Sequence, residues 1–291
     1  MKRFIFIIAV MFSVLSVKGQ QDPQYTQYMY NMNIVNPGYA GAQDGLVLSF
    51  LARSQWVGIK DAPRTLTFNA QAPIGSNLGL GLSVLADRIG PLSEENVYAD
   101  ISYSLDVSEQ AKLAFGLKAG ATFLSAPLAF LTTVNSGDIA FQNNLNEVKP
   151  NFGAGVYYYT DKYYLGLSVP NVLKTVHFER NNGVISKALD EMHYFFTGGY
   201  VFEFDNDIKF KPSFLVKAAV GAPISVDYNA NILFNNNLEF GLSYRFDDSF
   251  SAMLGLNVTD QLRIGYAYDH TFTNLGNFNS GSHEILMTFS F

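Results

Sequence analysis

The chain has 291 residues and a formal net charge of −6, and charged residues make up 15% of it, against about 25% in an average soluble protein. Aromatic residues account for another 15%, which suits a β-rich protein that faces lipid. The acidic balance argues against nucleic acid as a partner, and the lack of cysteine excludes a disulfide framework, a thiolate metal site and a lipid-anchored cysteine.

The first 20 residues have the pattern of a secretory signal peptide. Lys2 and Arg3 form a charged start, and residues 4–17 are apolar but too few to span a bilayer as a helix, which takes about 20 residues. A polar break follows. We therefore expect an exported protein whose mature chain begins at Gln20 or Gln21, with a retained signal anchor as the alternative.

Residues 21–43 form a segment of unusual composition before the first predicted strand. They contain four tyrosines, two prolines, several amides and a single charged residue, Asp22. Tyrosine combines an apolar ring with a polar tip, and Asn and Gln can bond to backbone groups, so the segment is suited to packing against a polar wall. We expect a plug inside a barrel or a periplasmic brace, with an ordinary disordered tail as the alternative.

Residues 44–291 alternate apolar and polar side chains in segments of about ten, the length of a tilted membrane strand. The alternation predicts an all-β fold, a transmembrane antiparallel β-barrel of about 14 strands in the bacterial outer membrane. A soluble β-sandwich or barrel would also alternate and is the alternative. The predicted strands are 45–54, 64–73, 77–87, 96–107, 111–124, 149–160, 163–171, 192–204, 208–220, 224–234, 237–247, 249–258, 261–272 and 282–291.

The connections between these strands alternate in length, as the short periplasmic turns and longer outer loops of bacterial barrels do. Every connection after an even-numbered strand is a tight turn. Five connections after odd-numbered strands are predicted to be long, namely 55–63, 88–95, 125–148, 171–191 and 273–281, while those near 221–223 and 247–248 are short.

The last predicted strand ends on an aromatic residue. Phe289 and Phe291 share its apolar face, as a barrel needs if the final strand is to seal against the first and face lipid. We interpret these two residues as a barrel-insertion signal.

Charged residues recur on the polar face of the predicted strands, where hydrocarbon would cost a basic side chain about 2–4 kcal/mol at the bilayer midplane. They should therefore point into the lumen. A salt-bridged, closed interior is one interpretation, and a conducting or selective pore is the other. The predicted lumen charges are Lys118, Lys217, Asp227, Glu239, Arg245, Arg263 and Asp269.

Four motifs near the start of the chain resemble the PorP/SprF family of Bacteroidetes outer-membrane proteins. They are residues 21–28 (QDPQYTQY), 36–41 (NPGYAG), 53–58 (RSQWVG) and 62–65 (APRT), of which the second departs from the family's usual Asn-Pro-Ala. The resemblance implies a type IX secretion system membrane protein that serves the secretion machinery, a secreted adhesin or a gliding-motility partner.

The matched motifs supply the candidate contacts for a partner or for the plug. Trp56 has a second interpretation, as an anchor at the outer membrane interface. The candidates are Tyr25, Tyr28, Asn36, Pro37, Arg53, Gln55 and Trp56.

The sequence gives little support for catalysis, a cofactor or a bound metal. His177, His193, His270 and His283 are scattered, and none has the spacing of a zinc site. The leading hypothesis is a non-enzymatic barrel that acts in secretion or surface display by binding machinery or cargo. A passive porin or a transporter of hydrophobic compounds is the alternative.

Overall fold

The computed structural model describes residues 23–130, 143–173, 175–176, 189–190, 192–205, 207–219 and 222–291. The predicted signal peptide (residues 1–20) and His177 lie outside these residues.

The described chain folds into a closed, antiparallel barrel of fourteen strands. Each strand pairs with its sequence neighbours, and the first strand pairs with the last. The strands are β1 (Val47–Ser54), β2 (Arg64–Ile74), β3 (Leu78–Ile89), β4 (Leu92–Ser108), β5 (Ala111–Ala126), β6 (Leu145–Thr160), β7 (Tyr163–Val169), β8 (His193–Tyr200, continued by Phe202–Asp205), β9 (Ile208–Ala219), β10 (Ser225–Phe234), β11 (Leu238–Arg245), β12 (Ser249–Asn257), β13 (Leu262–Thr271) and β14 (Ser282–Ser290).

The seam between β1 and β14 closes the barrel. Its register places Arg53 opposite Glu284, and the N–H of Phe291 donates to the carbonyl of Leu46 at 2.9 Å. Phe289 and Phe291 are exposed on the outer face. The terminal aromatic therefore lies at the end of the seam, next to the residue that leads into β1.

Side chains alternate between the lumen and the outer face as the sequence predicts. On β2, Thr65, Thr67 and Asn69 are buried in the interior, whereas Leu66 points outward and is exposed. The outer face carries most of the large exposed apolar side chains, which in a membrane barrel contact lipid. No helix among the described residues has the length and apolar character needed to cross a bilayer.

One predicted loop is wrong. Residues 88–95 belong mostly to β3 and β4, which continue to a tight turn at Gly90 and Pro91. The strands extend past the apolar band, where both of their faces meet water. Polar residues such as Ser93 and Glu94 therefore interrupt the hydrophobic alternation there, while the backbone pairing continues. For the same reason β6 begins at Leu145, earlier than predicted.

The remaining connections form two distinct ends. Every connection at the end where β1 begins, which we call the turn end, is short. The long connections lie at the other end, the loop end, together with short turns at 90–91 and 246–248. By the rule for bacterial barrels the turn end faces the periplasm. In the connection between β7 and β8, Thr175–Val176 pairs antiparallel with Leu189–Asp190.

Residues 23–43, here called the N-terminal segment, lie inside the barrel. They contain 3₁₀ turns at Tyr28–Tyr30 and Pro37–Tyr39 and one short helix, α1 (Met32–Val35). The main hydrophobic core cluster forms around this segment. Its buried members include Tyr25, Tyr28, Met32 and Val35 from the segment and Leu51, Leu85, Ala114, Tyr157, Phe195, Leu215 and Leu286 from the wall.

Candidate functional site

The N-terminal segment passes along the lumen from the loop end to the turn end. Near the loop end, Arg245 donates to the side chain of Gln24 at 2.7 Å. Near the turn end, Gln71 donates to the side chain of Gln43 at 3.3 Å, and the N–H of Gly41 donates to Gln71 at 2.9 Å. Contacts between these two points involve most of the barrel wall.

Thr26 and Gln27 bind a cluster of three charged side chains near the loop end. Their backbone N–H groups donate to Glu284 at 3.0 and 2.8 Å, and the Thr26 hydroxyl donates to Asp269 at 2.7 Å. Arg53 lies 2.6 Å from Asp269 and 3.1 Å from Glu284. One buried cation thus faces two buried anions, and hydrogen bonds from the segment compensate the excess negative charge. We call these five residues the latch.

Tyr30 binds a second charged cluster, in the turn-end half of the lumen. Its hydroxyl donates to Glu239 and accepts from Lys211 Nζ at 2.7 Å. Lys211 Nζ lies 4.9 Å and Arg263 Cζ 4.1 Å from the centroid of the Tyr30 ring. Such cation–π contacts contribute about 0.5–2 kcal/mol each. Lys211 and Arg263 both pair with the carboxylate of Glu239, and both also contact the electron-rich face of the Tyr30 ring.

The amide side chains of the segment bond to β2, β4 and β6, on a part of the wall that carries neither of these clusters. Asn31 donates to Thr67 Oγ1 at 3.1 Å, and Asn36 donates to the carbonyl of Val156 at 3.0 Å. Asn36 is fully buried, and its side-chain oxygen also accepts from the N–H of Gly38, which fixes the turn at Pro37. Further bonds join Asn31 to Asn69, Asn33 to Asp100, Lys118 to the carbonyl of Asn33, Ser102 to the carbonyl of Ala40 and Ser168 to the carbonyl of Val35.

Glycines in the wall let the segment's backbone approach closely. A Cβ atom on Gly116 would lie 2.2 Å from the backbone of Pro37 and Gly38, and one on Gly155 would lie 2.1 Å from Asn36 Oδ1. Real Cβ atoms do not approach so closely, so any larger residue forces the segment to move. Gly79, Gly81 and Gly265 meet the segment in the same way.

The substitution Gly116→Val is expected to displace the segment, because its side chain needs the space that Pro37 and Gly38 occupy; overpacking of this kind costs about 1–3 kcal/mol. The natural chain has no cysteine, so a Met32→Cys background provides one buried thiol whose labelling rate by a maleimide can be measured. The rate should rise in Gly116→Val and stay unchanged in Ala119→Val, which alters the exposed face of the same strand. Equal rates in the two variants would contradict this role for Gly116.

A cavity of about 80 Å³ lies on the loop side of the segment. Arg245 at its edge binds Asp227 through two nitrogens, at 2.6 and 3.1 Å, and Lys118 pairs with Asp100 at 3.2 Å. Lys217 lines the same cavity and is half-buried. The predicted lumen charges thus lie inside the barrel. They are found in four ion-pair clusters and, for Lys217, along this cavity.

Four tyrosines line the lumen at the turn end. Tyr39 packs edge-on against Tyr157 with ring centroids 5.3 Å apart, and Tyr157 contacts both Tyr159 and Tyr164. Burial, reinforced by Tyr164, raises the pKa of Tyr39 above its ordinary value, so the phenol stays neutral. A cavity open to the turn end lies beside these rings and the turn at residues 161–162.

Trp56 lies in the loop between β1 and β2, outside the lumen contacts. Its backbone N–H donates to Ser282 Oγ at 3.1 Å, and its φ of 45° places it in the left-handed region. The next residue, Val57, donates to the carbonyl of Gly281 at 2.8 Å, while Gln55 donates to the carbonyl of Pro63 at 2.9 Å. The loop is therefore bound to the connection before β14, across the seam.

Five of the candidate contacts predicted from the sequence are buried in the lumen, namely Tyr25, Tyr28, Asn36, Pro37 and Arg53. The sequence did not indicate residues whose partners are distant along the chain. The alternation does place Glu284 on the inward face, but only the register of the seam shows that it lies opposite Arg53. The missed contacts are Thr26, Gln27, Tyr30, Asn31, Asn33, Asp100, Lys211 and Glu284.

Within the described ranges, no group of three or more histidines and carboxylates is placed to hold a metal ion. The site consists instead of a polar segment bound by a polar wall. Such an arrangement can close a lumen and can be released when its hydrogen bonds are replaced by water or by another chain.

Comparison with solved structures shows the fold. The barrel is similar to the CymD monoaromatic hydrocarbon channel, with a TM-score of 0.52, 12% identity and coverage of 94% of this chain and 95% of that one. It is similar to Omp33 of Acinetobacter baumannii, with a TM-score of 0.51, 8% identity and coverage of 86% and 100%. A Pseudomonas aeruginosa FadL homologue gives a TM-score of 0.50, 13% identity and coverage of 94% and 96%.

Comparison of sequences gives a narrower result. No curated protein matches the chain. A family model described as the type IX secretion system membrane protein PorP/SprF matches residues 17–289, which is nearly the whole chain.

Proposed function

Because the chain belongs to the PorP/SprF family of type IX secretion system membrane proteins, we propose that this outer-membrane barrel is closed by its N-terminal segment and works as a binding scaffold. It binds secretion or motility components at its periplasmic end and a secreted adhesin at its outer end. It carries out no catalysis. The segment is the plug of this scaffold.

The observation that carries the proposal is the occupied lumen. The plug donates to or accepts from inward-facing groups on strands as far apart as β2, β6, β9 and β14, and its backbone lies on wall glycines. A conducting pore needs a continuous path of water through the lumen. Here the polar groups that would line such a path bind the plug instead.

The two ends offer different surfaces for partners. At the loop end, the loop of Trp56 is held by hydrogen bonds to the connection before β14, which gives an ordered outer surface. At the turn end, the cavity beside Tyr39 and Tyr159 combines aromatic rings with exposed charged residues such as Asp161 and Lys162. Aromatic residues that combine an apolar ring with a polar tip are enriched in protein interfaces.

Site-specific photo-crosslinking in cells tests the scaffold proposal. A photoreactive residue at position 56 is expected to capture a secreted protein, and one at position 161 is expected to capture periplasmic machinery. The matched control is position 117 on the lipid-facing wall, where Leu117 is exposed and should capture no type IX component. Mass spectrometry identifies the captured proteins. If the barrel is recovered without a crosslinked partner at both position 56 and position 161, the proposal is contradicted.

A passive porin or transporter of hydrophobic compounds is the second candidate. It is favoured by the cavity on the loop side of the plug, where Leu85, Tyr98, Phe195 and Leu215 offer apolar and aromatic surface. The fold is shared with a monoaromatic hydrocarbon channel, although that likeness concerns the fold alone. A large, steady conductance of the intact protein in a planar bilayer would favour this candidate over the scaffold.

A further inference from the structure

Two arginines lie directly opposite each other on the outer face of the barrel. The register of β2 and β3 pairs Arg64 with Arg88, and both side chains are exposed. Like charges in directly opposed positions destabilise a sheet unless something of opposite charge lies between them. In the part of the chain that the structure describes, neither arginine forms an ion pair.

The arginine pair lies at the outer edge of the lipid-facing wall. Arg64 has the same orientation as Leu66 and Phe68, which follow it on the outward face toward the membrane middle. The pair is also at the loop end, since β2 begins and β3 ends there. Long basic side chains at this height extend to the headgroups of the outer leaflet.

A recess of about 330 Å³ adjoins the arginines. The rest of its lining comes from the end of β1, from the loop between β1 and β2, and from Gly90 in the turn after β3. The N–H of Gly90 donates to the carbonyl of Asp61 at 2.9 Å, which holds the loop in place. Asp61 is the one acidic residue among the described residues that line the recess. Two cations therefore face a polar recess with a single carboxylate.

We propose that Arg64, Arg88 and this recess bind a phosphoryl group, either on the headgroup of an outer-leaflet glycolipid or as free phosphate. A planar guanidinium group can donate two parallel hydrogen bonds to a pair of phosphate oxygens. Two arginines on adjacent strands therefore suit a doubly charged group. The anion would also remove the repulsion between the opposed arginines. The position at headgroup height explains why the site faces outward rather than into the lumen.

Native mass spectrometry of the full-length, delipidated protein tests the site. The probes are diphosphoryl lipid A, its dephosphorylated form with the same acyl chains, and inorganic phosphate. Because charge-assisted hydrogen bonds are strong, we expect the natural protein to bind the phosphorylated lipid at least about tenfold more tightly than the dephosphorylated one. The double variant Arg64→Gln/Arg88→Gln should lose this preference.

The matched control is Lys162→Gln, which removes an exposed cation at the opposite end of the barrel and should keep the preference. The heat-dependent shift in gel mobility shows that each variant is folded. If inorganic phosphate competes with the phosphorylated lipid at similar concentrations, the site takes free phosphate; if it does not, the site takes the lipid headgroup. Equal preference in the natural protein and the double variant would overturn the proposal.

Discussion

Deleting residues 24–42 is expected to convert a closed barrel into a conducting one. The deletion removes the side chains that bind the inward faces of the wall, including Tyr30 and Asn36, and leaves a lumen lined by polar and charged groups that water can fill. Single-channel recording in a planar bilayer should show brief or no openings for the natural protein and steady openings for the variant.

A matched deletion in an outer loop separates loss of the plug from general damage. Residues Asn274–Phe278 form a 3₁₀ turn at the loop end with no buried residue, and their removal leaves the lumen unchanged. This control should conduct no more than the natural protein. If removing residues 24–42 leaves the conductance as low as in the control, the segment is not what closes the barrel.

The substitution Arg53→Gln is expected to have the largest effect on stability. It removes the only cation of the latch and leaves Asp269 and Glu284 buried beside each other, and breaking a buried ion pair in this way costs about 3–5 kcal/mol. Urea unfolding in lipid vesicles measures the loss. The single tryptophan, Trp56, lies three residues from Arg53 and reports the transition by its fluorescence.

Adding Glu284→Gln to Arg53→Gln tests the charge argument directly. The second substitution removes one of the two uncompensated carboxylates, so the double variant should recover part of the lost free energy of unfolding. Glu284→Gln alone leaves Arg53 paired with Asp269 and should cost less than Arg53→Gln. A double variant that is less stable than either single variant would show that the latch does not act through charge.

The barrel itself could be predicted because its strands carry a local signal. In β11, residues such as Leu238 and Phe240 face outward while Glu239 faces inward, and the period of two is visible without knowledge of any partner strand. The same signal fails at Ser93 and Glu94, where a strand continues beyond the apolar band. Local patterns thus predict strands only where one face meets lipid.

The type of contact that the plug makes could be predicted from the sequence, but the partner residues could not. Its tyrosines and amides indicated a segment that packs on a polar wall. Nothing local to Thr26 indicates that it binds Asp269, because that contact depends on the register of every strand between them. Tyr30 and Lys211 are a similar case, since their pairing needs the strand tilt as well as the register.

The latch also has a consequence for the order in which the protein folds. Arg53 belongs to β1, whereas Asp269 and Glu284 belong to β13 and β14, so the plug's Thr26 binds both sides of the closing seam at once. Contacts between residues so distant in sequence form late, because the chain must first lose the entropy of a very long loop. The binding site for Thr26 exists only after the first and last strands have met. We therefore expect the docking of the plug and the pairing of β1 with β14 to occur as one cooperative event. An occupied lumen would then indicate a correctly assembled barrel.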